Sequence, residues 1–188
     1  KENIKKAEDI ALKVDNNKFK SVVLKKKGWI DRVEGRYEKA IDNHREGISL
    51  SEKLNESGDV FDNRYHLVRD HLAHGEIDEA REQFKKAKEQ DVGLPDVELR
   101  LKLLEGILKR KDGEYEESKE ILNDCLEIAK KLSKEYRIAE VLYELGKVSK
   151  KLGASEEAES LLNDAKSRFN DMNMERFLKK CKKELDEL

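Results

Sequence analysis

The sequence predicts an all-α chain of antiparallel helix pairs stacked as a solenoid, and three observations predict it. Four glycines, Gly35, Gly75, Gly113 and Gly153, recur in similar settings at spacings of 40, 38 and 40 residues. No stretch alternates apolar and polar residues with the period of two that a half-buried strand needs. Charged residues make up 44% and hydrophobic residues 37% of the 188, too polar for one large core. That balance suits repeats that each bury only the faces turned to two neighbours.

Each repeat carries more than its glycine. Five residues after it stands a small residue: Ala40, Ala80, Ser118 or Ala158. Four further on is His44, Phe84, Leu122 or Leu162, and three beyond that Gly47, Ala87, Cys125 or Ala165. Seven residues before the turn glycine stands Gly28, Val68, Gly106 or Gly146. A turn glycine can adopt the left-handed conformation that ends a helix. Small residues let two backbones approach, and the larger side chain fills the groove between them.

The elements follow in order. Residues 1–15 read as the second helix of a truncated repeat, because Ala7 falls 40 before Gly47. Helix pairs are expected at 18–34 and 36–55, 59–74 and 76–90, 95–112 and 114–132, and 134–152 and 155–169. The repeats thus run 18–55, 59–90, 95–132 and 134–169, with a capping helix at 172–187 closing a single domain over 1–188. Pro95, followed by Asp96, fits a first helical position after a break at Gly93. Beginning in mid-repeat, the chain reads as a fragment of a larger protein.

Leu145-Gly146 and Ala80-x3-Phe84 resemble the Leu-Gly and Ala-x3-Phe signatures of tetratricopeptide repeats. The resemblance covers nearly the whole chain and implies a right-handed superhelix. The period exceeds that family's usual value of about 34 and is similar to the longer repeats of regulatory and motor-adaptor proteins. Asp31, His71, Lys109 and Ser149 occupy the position usually held by tyrosine.

The resemblance also implies that the first helix of each pair lines a concave groove where peptides bind. The positions carried over are Val22, Lys25, Trp29, Arg32 and Val33; Asp62, Tyr65, Arg69, Leu72 and Ala73; Arg100, Leu103, Ile107, Arg110 and Lys111; and Glu140, Tyr143, Lys147, Lys150 and Lys151. Nine of these twenty are basic and two acidic, a local +7 in a chain of formal charge -2. A basic groove with Trp29, Tyr65 and Tyr143 suits an acidic protein or peptide segment with apolar anchors. Some relatives clamp the C-terminal carboxylate of chaperones with an asparagine; here that position holds Trp29, Arg69, Ile107 and Lys147, so the resemblance stops short of that clamp.

The rest of the chemistry narrows the function classes. Forty Lys and Arg against forty-two Asp and Glu give no global drive toward nucleic acid or anionic membrane. No apolar run approaches the roughly 20 residues of a bilayer span, and no leader is visible at Lys1. Cys125 and Cys181, 56 residues apart, suit a reduced, cytoplasmic protein, with Cys125 a small buried residue. No phosphate-cradling loop, HExxH or nucleophile elbow occurs, so neither catalysis nor a cofactor is expected. His66, His71 and His74 cluster, but His71 sits at a core-edge position, so they read as packing and not as a metal site; His44 reads as a packed core histidine. Lys25–Lys27 and Lys179, Lys180, Lys182 and Lys183 read as solvated runs. The expectation is a protein-interaction scaffold, the sensor or docking region of a regulatory protein. The alternatives are an RNA-binding helical repeat and the regulatory region of an enzyme whose catalytic domain lies elsewhere.

Overall fold

Helix starts and stops follow the turn chemistry. A computed structural model of the chain describes residues 16–90 and 93–188, which hold nine α-helices and no strand. The helix expected over 1–15 lies outside the described residues. The fold class is therefore the all-α helical repeat that the periodicity predicts.

By contact, the chain divides into two compact units, Lys1–Val92 and Gly93–Leu188. The first contains α1 (Asn17–Val33), α2 (Tyr37–Lys53), α3 (Ser57–His74) and α4 (Ile77–Lys88). The second contains α5 (Pro95–Asp112), α6 (Tyr115–Lys131), α7 (Glu135–Lys151), α8 (Ser155–Asp171) and α9 (Glu175–Asp186). Within each unit every helix packs on its sequence neighbours, and first helices also touch: α1 on α3, and α5 on α7.

Two left-handed residues punctuate each repeat. The turn glycines have φ of 79° at Gly35, 94° at Gly75, 85° at Gly113 and 77° at Gly153. The second set, after the second helix of each pair, is Asn55, Gly93, Ser133 and Asn173, with φ of 55°, 70°, 51° and 55°. Outside the Gly93 turn, both kinds close by the same bond, from the amide after the left-handed residue to a carbonyl five residues back: Arg36 N–H to Asp31, and Lys134 N–H to Ala129. At the other end, Asn16 caps α1 by accepting from Phe19 N–H, and Pro95 opens α5.

Close packing explains the small residues. A Cβ at Gly28 would lie 2.4 Å from the His44 ring, at Gly106 2.6 Å from Leu122, and at Gly146 2.7 Å from Leu162. In the second repeat the hole is already filled by Val68, and Phe84 stays part-exposed, with Lys88 Nζ 5.6 Å over its ring. Ala40, Ala80, Ser118 and Ala158 have no exposed surface. The first unit's core gathers Ile41, Ile48, Val60 and Leu67. In the second, Leu99, Leu103, Leu104, Leu122 and Leu162 are fully buried, each contributing about 1.5–3 kcal/mol. Helix α9 is fastened by Phe177, stacked 4.6 Å from Phe169, with Tyr136 edge-on to both.

Candidate protein-interaction surface

The first helices of each unit carry a row of charged and aromatic side chains. In the first unit, Lys25 donates from Nζ to Asp62 at 2.7 Å and Asp59 at 3.1 Å. Burial works against its charge, yet Asp62 and Asp59 outweigh it and raise its proton affinity. Arg32 donates to Asp70 Oδ1 at 2.7 Å and to the His66 carbonyl at 3.1 Å. Arg69 lies 5.6 Å over the Tyr65 ring and donates to its hydroxyl at 3.0 Å. Tyr65 has no exposed surface, so it supports Arg69 instead of offering a face to a partner.

Trp29 is different. It is 41% exposed and lines a cleft of 350 Å³ with Lys25, Lys26, Ile30, Asp62 and His66. Beneath the cleft lies a buried polar cluster. His44 Nδ1 meets Asp70 Oδ2 at 2.5 Å, its Nε2 faces the Lys25 carbonyl at 3.2 Å, and its ring stacks 5.4 Å from His66. Arg32 shares Asp70 with His44, so the groove-side arginine and the core histidine are held by one carboxylate. Gly28 is what admits the ring.

In the second unit, Arg100 is buried, with Asp96 4.0 Å away. Arg110 donates from Nε and Nη2 to Glu144 Oε2 at 3.1 and 2.8 Å, and Lys147 reaches the same oxygen at 3.1 Å while lying 4.9 Å over Tyr143. Burial tends to raise the Glu144 pKa, but Lys147 and Arg110 prevail and hold it at about 2. Burial raises the Tyr143 phenol. Lys150 bridges to Glu184 at 3.3 Å and Glu187 at 3.1 Å. Lys111 and Lys151 are exposed.

The charge excess read from sequence is therefore local. In the first unit Lys25, Arg32 and Arg69 stand against Asp59, Asp62 and Asp70, three charges of each sign. The neutralising carboxylates come largely from outside the carried-over positions, and the sequence did carry their signal. Lys25–Asp59, Arg110–Glu144 and Lys150–Glu184 are each 34 residues apart, one first helix to the next. A second missed signal spans the glycine turn. The residues at the usual tyrosine position pair five residues on: Asp31 with Arg36, His71 with Glu76 at 2.6 Å, and Lys109 with Glu114 at 2.5 Å.

His71 Nδ1 thus faces a carboxylate, and His74 lies by Glu76 and Glu38; among the described residues no three metal-ligating groups converge. Burial pushes the Cys125 thiol up to about 12 and Cys181 up to about 11, keeping both protonated. Among the described residues no helix is long and apolar enough to cross a membrane.

Residues 99–171 match the family model described as Tetratricopeptide repeat. No curated protein sequence matches the chain. Among solved structures, BtubC (BKLC) from P. vanneervenii is similar at a TM-score of 0.61 and 18% identity, over 84% of this chain and 66% of that one. The Podosopora anserina putative kinesin light chain, with nearly identical TPR-like repeats, gives 0.58 and 16%, over 92% and 86%. A Rap protein complexed with Competence and Sporulation Factor gives 0.59 and 18%, over 86% of this chain but 46% of that one. The chain thus spans less than two thirds of the BtubC chain and about half of the Rap chain. At these identities the likeness is one of fold.

Proposed function

We propose that the chain, which matches the Tetratricopeptide repeat model over residues 99–171, is a protein-interaction scaffold that binds a peptide or protein segment along its first helices. The observation that carries this is Trp29: an indole 41% exposed in a cleft of 350 Å³, a volume in the range of ligand pockets, about 300–1,000 Å³. Burying such a ring by a partner's apolar side chain would supply most of the affinity. The exposed cation beside it, Lys26, would steer a segment of acidic character, and Lys111 and Lys151 are exposed cations on the first helices of the second unit.

A neighbour of the same fold is described as complexed with the Competence and Sporulation Factor, which supports partner binding as the role of such a helical array. The reading extends to a regulatory or docking part of a larger cytoplasmic protein, without catalysis of its own. The test uses the chain's single tryptophan. A peptide array with acidic, neutral and basic segments, each bearing leucine or phenylalanine, is probed with the chain. Hits are then titrated while Trp29 fluorescence is followed. Acidic–apolar peptides should shift the emission to the blue and lose binding in Trp29→Ala. If hits bind equally well to Trp29→Ala with no change in emission, the cleft is not the docking site.

A further inference from the structure

Around Glu144 in the second unit the charges do not balance. Arg110 and Lys147 both spend charge on one carboxylate, Glu144. Lys111 follows Arg110 in the chain, is exposed, and has no ion-pair partner among the described residues. Three cations against one carboxylate leave a surplus of two positive charges where α5 meets α7. By contrast, Lys25 in the first unit meets two carboxylates, Asp59 and Asp62.

The surplus is felt by Lys111. Its proton affinity is lowered, first by burial of its stem and then by the charges of Arg110 and Lys147, against a smaller pull from Glu144. Arg110 commits Nε and Nη2 to Glu144, so its third nitrogen, Nη1, carries no described bond. Lys147 is held over Tyr143, which fixes where its ammonium sits. The patch therefore combines positioned donors with unrelieved positive potential.

We propose that Arg110, Lys111 and Lys147 form a subsite for a phosphorylated side chain on a protein segment docked against the first helices of the second unit. This rests on the scaffold reading above and names the chemistry of one contact within it. A phosphate monoester carries about −1.5 to −2 charges at pH 7, the complement of the surplus, whereas a single carboxylate would satisfy half of it. The arginine edge supplies directional N–H donors and the lysines supply point charge.

The test uses the full chain and three fluorescein-labelled peptide libraries, randomised except for a central phosphoserine, serine or glutamate, read by anisotropy. The phosphoserine library should bind about tenfold tighter than the other two, equivalent to about 1.4 kcal/mol. Lys111→Ala should remove most of that preference without changing the circular-dichroism melt, because Lys111 holds nothing in the fold. Lys182→Ala, on α9, should leave the preference intact. Equal binding of phosphoserine and serine libraries overturns the proposal while leaving the scaffold reading in place. Equal binding of glutamate and phosphoserine shows a single-charge acidic site and also overturns it. Inorganic phosphate competing as strongly as the peptides would make it a site for free phosphate, again against the proposal. Binding by none of the three libraries would remove both readings together.

Discussion

At the scale of single residues, the fold depends on positions where a side chain is either forbidden or tolerated at a cost. Gly146 is the first kind: any Cβ there meets Leu162. Gly146→Leu should lower stability in urea unfolding by at least about 1–3 kcal/mol through overpacking. Glu157→Ala, which removes only an exposed pair with Lys119, should stay within about 0.5 kcal/mol. Ser133 is the second kind. Its φ of 51° is a conformation costing an L-residue roughly 1–2 kcal/mol, and its repeat equivalent Gly93 shows what suits the site. Ser133→Gly should therefore raise stability by about 0.5–1 kcal/mol, read as a higher urea midpoint. The turn glycines were legible because only glycine recurs at 35, 75, 113 and 153. The second left-handed set was not, because it is filled by asparagine, glycine and serine in turn, so no single letter marks it.

At the scale of helices, what holds one first helix to the next is partly ionic, and this was the part hardest to read. Apolar periodicity locates helices, and the observed bounds fall within three residues of those expected. Charge at a groove position says nothing by itself, since its partner lies one helix away, 34 residues on, at a position the family pattern does not single out. Arg110 looked like an exposed groove cation and is instead an ion pair with Glu144. Tyr65 looked like an anchor and is buried. The Glu144 cluster makes a pH prediction. Its folded pKa is depressed from 4.5 to about 2, so its contribution is present above the unfolded value near 4.5 and is lost as pH falls toward 2. That contribution is at most about 3 kcal/mol. Thermal melts followed by circular dichroism should fall between pH 5 and pH 2. Glu144→Gln should melt lower at pH 7, because Arg110 and Lys147 lose their shared carboxylate, and should lose less on acidification than wild type does.

At the scale of the whole chain, the formal charge of -2 conceals which charges are available to a partner. A cation tied to a carboxylate presents little field beyond about a Debye length, near 8 Å at physiological salt, and reversing it damages the fold before it tests binding. Arg110→Glu, for instance, would set two carboxylates against each other. The informative cations are those that are exposed and structurally idle: Lys26, Lys111 and Lys151. Reversing all three to Glu should leave the melt within a few degrees of wild type while replacing three exposed positive charges with three negative ones. For an acidic peptide taken from the array, this triple reversal should slow association by about tenfold or more at low salt, with the difference shrinking as salt rises. Dissociation should hardly change, because rim charges act on encounter and not on the bound state. Trp29→Ala should show the opposite division, a faster dissociation at nearly unchanged association, because a buried aromatic anchor stabilises the complex after docking. Stopped-flow measurement of both variants against the same peptide separates the two effects. If the triple reversal instead speeds dissociation and leaves association alone, the lysines are contacts and not steering charges. If neither variant alters either rate, the partner docks on a surface other than the first helices.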